Sequence, residues 1–214
     1  NLAVKGRALA AGGSIVTTPV EHEAVLEAAL FCERFGSKLT ILEVDRFGLV
    51  DPDQVAAAID EHTAVVSVMA ANNETGARQP LGDIVTAIAG RACLHTDAVQ
   101  AFSSEELRLD GIDMLSLAGH KFGGPAGVGL LFVRDGVGLE PVIHGGGQEL
   151  GRRSGTLNVA GIIGLVAAME LAAAERSQFV AGTKEARAAF ESALDGVAER
   201  TIDPSAALVQ HSHL

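Results

Sequence analysis

Residues 63–70 read TAVVSVMA, an apolar run broken only by one serine and rich in β-branched side chains. Such a run, too short for a buried helix and without polar alternation, fits a strand covered on both faces, the condition of a parallel sheet. The segments around it alternate in the same sense. A short strand is expected over 14–17 (SIVT) and another over 38–44 (KLTILEV), with helices over 21–35, 52–59 and 81–89 between and after them. Asp51 before Pro52 is a start signal, because Asp caps free amides and proline tolerates the first helical turn. An alanine-rich helix over 2–11 precedes these, closed by Gly12-Gly13. Strand followed by helix followed by strand predicts an α/β fold with a mainly parallel sheet sandwiched by helices.

In such sheets ligands gather at the carboxyl ends of the strands. The stretch HTDAVQAFSSEELRLDGIDMLSLAGHKFGGPAGVG, residues 95–129, places Asp97 after one apolar run and His120-Lys121 after the next. The 24 residues from Asp97 to Lys121 leave room for one connection. A partly desolvated lysine can lose its proton and attack a carbonyl, whereas a lone lysine is ordinarily a solvated surface charge. Asn72-Asn73-Glu74-Thr75-Gly76 ends the 63–70 strand and by itself is a polar turn. His22 is expected in the first turn of the 21–35 helix, where an exposed helix residue is the plain alternative. Cys93, His95 and Asp97 alternate onto one strand face, but no paired-cysteine or HExxH spacing supports a metal, and Cys93 reads as buried core. The loop HGGGQELGRRSGT, residues 144–156, offers backbone amides suited to anions or is simply a flexible surface loop.

HTDAVQ, SLAGHKFGGPAGVG, ANNETG and GGGQELGRRSGT occur in this chain in that combination. Together they resemble the aminotransferase class V family of pyridoxal-phosphate enzymes, within it the cysteine desulfurases of the NifS/IscS type, over essentially the whole chain. The resemblance implies the large domain of a type I pyridoxal-phosphate transferase over residues 1–173, and the beginning of a smaller C-terminal α+β domain over 174–214. It implies pyridoxal 5'-phosphate as cofactor. Lys121 would form the Schiff base and shuttle protons, Asp97 would pair with the pyridine nitrogen, and His22 would stack on the ring. Asn73 and Gln100 would reach the 3-hydroxyl or the imine. His120 would serve the phosphate, and Thr156, with Arg153 nearby, the phosphate of a neighbouring subunit, hence a homodimer with shared active sites. Ala118 departs from the pattern, since many relatives carry a phosphate-binding Ser or Thr there.

The implied reaction converts L-cysteine to L-alanine and passes sulfur to an enzyme cysteine as a persulfide, for a sulfur-acceptor or scaffold protein. A selenocysteine lyase, an aminotransferase or a non-catalytic scaffold are the alternatives. Neither Cys32 nor Cys93 matches the family's mobile nucleophile loop, which would lie beyond Leu214, as the N-terminal phosphate loop would lie before Asn1. Both ends therefore read as internal to a longer chain. A net charge of −11 argues against a nucleic-acid or anionic-membrane surface. The run IIGLVAAMELAAA is interrupted by Glu170 and is too short to span a bilayer. Two cysteines and no visible leader point to a reducing, cytoplasmic setting. Residues 158–174 are expected as a helix, apolar on most faces and so buried, a second helix is expected over 184–200, and LVQHSHL as a closing strand.

Overall fold

In a computed structural model of the chain, which describes residues 1–203 and 205–213, the strands expected over 14–17, 38–44 and 63–70 join three later ones in one six-stranded sheet. They are β1 (Ser14–Thr17), β2 (Leu39–Ile41), β3 (Thr63–Ser67), β4 (Cys93–Asp97), β5 (Met114–Ala118) and β6 (Gly129–Val133). The order is β2-β1-β3-β4-β5-β6, parallel from β2 through β5. Only β6 runs antiparallel, against β5. The segment between them is too short to carry the chain back to the opposite end of the sheet through a helix, so the strand direction reverses.

Period-two alternation sends neighbouring residues into different cores. Val16, Val66, Leu94 and Leu115 face helices α3 (Pro52–Ala58) and α4 (Leu81–Ile88), packing with Val55, Ile84 and Ile88. Ile15, Val65 and Met114 face the other way, onto the N-terminal helix and α2 (Glu23–Arg34), against Val4, Ala8, Val25 and Ala29. Each fully buried side chain of this size contributes about 1.5–3 kcal/mol. The N-terminal helix opens as a π turn, Leu2–Gly6, and continues as α1 (Arg7–Ala11), with Gly12 left-handed at its end. Asp51 caps α3 as its sequence position indicates, its side chain accepting from Asp53 N at 2.9 Å.

Several boundaries differ from expectation. The 38–44 strand shortens to Leu39–Ile41, and the chain then turns at Asp45, whose Oδ1 accepts from Phe47 N and Leu49 N. The two C-terminal helices are one, α5 (Val159–Ala193). Gly182 is the only strong helix breaker in the expected gap, and one glycine costs about 1 kcal/mol, too little to end a long helix. Nor is α5 buried. Only Gly161 and Leu165 are, while Val159 and Ile163 are 60% and 64% exposed. An apolar composition records what a helix can bury, not whether the surrounding chain supplies a surface to bury it against. The expected closing strand is also absent among the described residues. Its last residue, Leu214, lies outside them, and Leu208–His213 form a turn and an irregular stretch, with Ala207 alone bridging Ala77.

Candidate active site

The strand order reverses at β1 and β3, whose connections depart in opposite directions, and a crevice opens at that point on the carboxyl edge. A cleft of about 530 Å³ lies there, lined by Glu21 and His22 from the turn after β1, by Arg46 and Phe47, and by Asn72 and Asn73 from the turn after β3. Asp97 ends β4 and the turn Gly119–Lys121 follows β5. The sheet therefore carries His22, Asn73, Asp97, Gln100, His120 and Lys121 at one edge, on successive strand ends. Thr156 and Arg153 lie apart, exposed on the loop between β6 and α5.

His22 is not inside the helix but its N-cap, with extended backbone, and its Nδ1 accepts from Ala24 N at 3.1 Å. That bond leaves Nε2 to carry the proton of the neutral ring. The first helical amides need an acceptor, and an imidazole at this position supplies one. The adjacent asparagines divide their work. Asn72 builds the turn: its Oδ1 accepts from Glu74 N and Thr75 N at 2.9 Å, and its Nδ2 donates to Val20 O. Asn73 engages only its backbone carbonyl, which accepts from His211 Nε2, and its side-chain amide has no partner among the described residues. Gln100 is alike: its carbonyl accepts from Gln210 Nε2, and its side chain is unengaged among the described residues.

Asp97 is half-buried and accepts from Val99 N at 2.9 Å. Burial pushes its carboxyl above the ordinary range, against the pull of that amide and of His22. Lys121 and His120 are exposed, and Lys121 has no carboxylate partner among the described residues. Their loop is shaped by glycine. Gly119 N donates to Val128 O, Gly124 N donates to Gly119 O, and a Cβ on Gly119 would stand 2.9 Å from Leu165 of α5. Ala118 offers no hydroxyl toward this loop.

His95, grouped with Asp97 by strand alternation, is fully buried instead. Its Nδ1 meets Ser67 Oγ and its Nε2 meets Ser116 Oγ, both at 2.8 Å, so it ties β3 to β5 across β4. Burial drives its pKa down to about 3, which keeps the ring neutral. Cys93 is half-buried, not core, and burial with Asp113 nearby pushes its thiol up to about 11. Burial also raises the thiol of Cys32. Neither is a thiolate near neutrality. Glu21 joins this edge without a strong sequence signal beyond Thr18-x-x-Glu21, the spacing of a mutually bonded pair at a helix start. Thr18 Oγ1 donates to its Oε1 at 3.2 Å.

The family model described as aminotransferase class-V matches residues 1–212. Cysteine desulfurase IscS of Dictyoglomus turgidum is 45% identical over 197 residues, 89% of this chain and 50% of that protein. Among solved structures, a NifS-like protein has a TM-score of 0.90 at 36% identity, covering 96% of this chain and 60% of the other. A second, described as SspA in complex with cysteine, has a TM-score of 0.74 at 42% identity, covering 79% and 51%. The chain spans about half the length of the curated relatives it matches.

Proposed function

The chain belongs to the aminotransferase class V family, and from that premise we propose that it is the cofactor-bearing part of a pyridoxal-phosphate-dependent cysteine desulfurase. When bound, pyridoxal 5'-phosphate supplies an electron sink for chemistry at the substrate's α-carbon. The side chains present fit that group. Asp97 is an acid whose partly buried charge needs a cationic partner, which a protonated pyridine nitrogen provides, and the side-chain amides of Asn73 and Gln100 are unengaged among the described residues. His22 offers a flat ring at the mouth of the crevice.

Lys121 holds the cofactor through its Nζ and moves the proton at the α-carbon of L-cysteine. Among the described residues Lys121 has no carboxylate partner, so no ion pair has to be broken to engage its amine. His120 serves the phosphate, and Thr156 that of a neighbouring subunit, which makes the working unit a homodimer. With Ala118 beside the lysine loop, phosphate binding leans on His120 and backbone amides. The overall conversion is L-cysteine plus an enzyme thiol to L-alanine plus an enzyme persulfide, and the persulfide sulfur goes to an acceptor or scaffold protein of the cytoplasm. Cys32 and Cys93, held as thiols, are not that thiol. Among the described residues no helix is long and apolar enough to cross a membrane.

The observation that carries this reading is the placement of Asp97 and Lys121 at the carboxyl ends of two adjacent parallel strands, β4 and β5. The test is the absorbance of the intact protein after adding pyridoxal phosphate, beside Lys121→Ala. A covalent lysine–cofactor band in the wild type that vanishes in the variant is expected, with L-alanine formed from L-cysteine, and sulfide released from the enzyme persulfide when an added dithiol reduces it. Turnover should fall roughly 10²–10⁴-fold in Lys121→Ala. A band that survives the substitution would sink the assignment.

A further inference from the structure

We propose that Glu21 is a positioning residue that works as a neutral carboxylic acid, clamping the turn that carries His22 to the end of β3 that leads into Asn73. Its link to cofactor binding rests on the function proposed above. The clamp itself rests on geometry alone.

Glu21 is only 5% exposed. Its Oε1 accepts from Met69 N at 2.6 Å, across the seam between β1 and β3, and from Thr18 Oγ1 at 3.2 Å. The second tie over the same seam is Asn72 Nδ2 to Val20 O at 3.0 Å. The two bonds join the turn before His22 to the segment before Asn73, at the point where the strand order reverses. A crevice between diverging strands has no ladder to hold its walls together, and these side chains take that place.

The other oxygen, Oε2, is buried with no hydrogen-bond partner among the described residues. A carboxylate with a bare buried oxygen is strongly disfavoured, whereas a protonated one is tolerable. The charged and titratable groups around it supply no direct counter-ion. Asp97 stands at the end of β4, His22 and Glu23 at the head of α2, and Arg46 and Glu74 line the cleft. None of them bonds to Glu21 among the described residues. Burial pushes its carboxyl up to about 8, with the Met69 amide pulling down, Asp97 pushing further up and Thr18 pulling down.

Two acids at one partly buried edge do not both ionise readily. The more deeply buried Glu21 takes the proton, and the more accessible Asp97 keeps its charge. Because the folded pKa is raised, the stabilising contribution of Glu21 is fully present below its ordinary value of 4.5 and is lost as pH rises through about 8.

The test uses the intact protein and two variants. Glu21→Gln is neutral at every pH and keeps an acceptor for Met69 N, while Glu21→Leu is also neutral but offers no acceptor. In the cofactor-free protein, an infrared difference spectrum of wild type against Glu21→Gln near neutral pH should contain the carbonyl stretch of a protonated carboxyl group. The stability lost between pH 4.5 and about 8 should be absent from Glu21→Gln. In the loaded protein, Glu21→Gln should match the wild-type cofactor affinity within about twofold, and Glu21→Leu should bind roughly tenfold more weakly, the scale of one buried hydrogen bond. No protonated-acid band, or a glutamine variant as impaired as the leucine variant, would overturn the proposal. Failure of the wild type to take up cofactor would count against the proposed function, while the spectrum and stability of the cofactor-free protein would still decide the role of Glu21.

Discussion

β3 and the first half of α5 are about equally apolar in sequence, TAVVS against VAGIIGLVAAMELAAA, and their burial is opposite. Every residue of β3 is buried, with Val65 and Val66 at 0% exposure. α5 contributes Leu165 and Gly161 to the interior and leaves most of its other apolar side chains in contact with solvent. A strand in mid-sheet has neighbours on both edges and helices on both faces, so its apolar residues are covered whichever way they point. A helix lying on the outside of a sheet covers one stripe, and its remaining faces are buried only by something beyond it. Apolar content therefore predicts burial well for the inner strands and poorly for α5.

The contrast can be broken most forcefully in the inner strands. Leu94→Ala in β4 should lower unfolding free energy by about 3–4 kcal/mol, read from urea midpoints, because the surrounding side chains cannot collapse into the space. A loss under about 1 kcal/mol would mean the sheet interior is no better packed than α5. Next in size is the pH response of His95. Its folded pKa is depressed, so the stabilisation is complete above its ordinary value of 6.5 and is lost as pH falls toward about 3. The wild type should lose stability progressively as pH falls across that window, and His95→Gln should abolish that dependence. The contribution of Glu21 slopes the opposite way, so the wild-type-minus-variant curve, not the raw profile, isolates each group. The smallest effect belongs to α5. Ile163→Ser on its exposed face should change the stability of the monomer by no more than about 0.5 kcal/mol. A loss comparable with that of Leu94→Ala would show that the face is covered in solution, and would erase the difference between the two regions.

The position of the candidate site was legible because its signals are local, while the roles of its residues were implied only by the resemblance. Asp97 and Lys121 end apolar runs, and Asp51-Pro52 announces a helix start, so the carboxyl edge could be located before any coordinates. His22 is the N-cap and not a first-turn residue, a difference of one position that nothing in the sequence resolves. Asn72 and Asn73 were legible as a pair, while their division into a turn-building and an unengaged side chain depends on Val20 and Thr75, contacts that spacing does not encode. Glu21 escaped notice because a glutamate at a helix start is ordinarily solvated. Its carboxyl is buried where it accepts from Met69 N, which is distant in sequence. The merger of two expected helices into α5 turned on a competition of about 1 kcal/mol at Gly182, below what local propensity resolves.

By itself the sequence determined the mainly parallel sheet, the core faces of its strands and the edge at which the chemistry-bearing residues gather. Side-chain periodicity and capping act within a few residues and leave direct marks in the order of amino acids. Only the tertiary structure decided that Glu21 and His95 are buried and that α5 keeps its apolar stripes in water. Burial belongs to a residue's neighbours, and those neighbours come from remote parts of the chain.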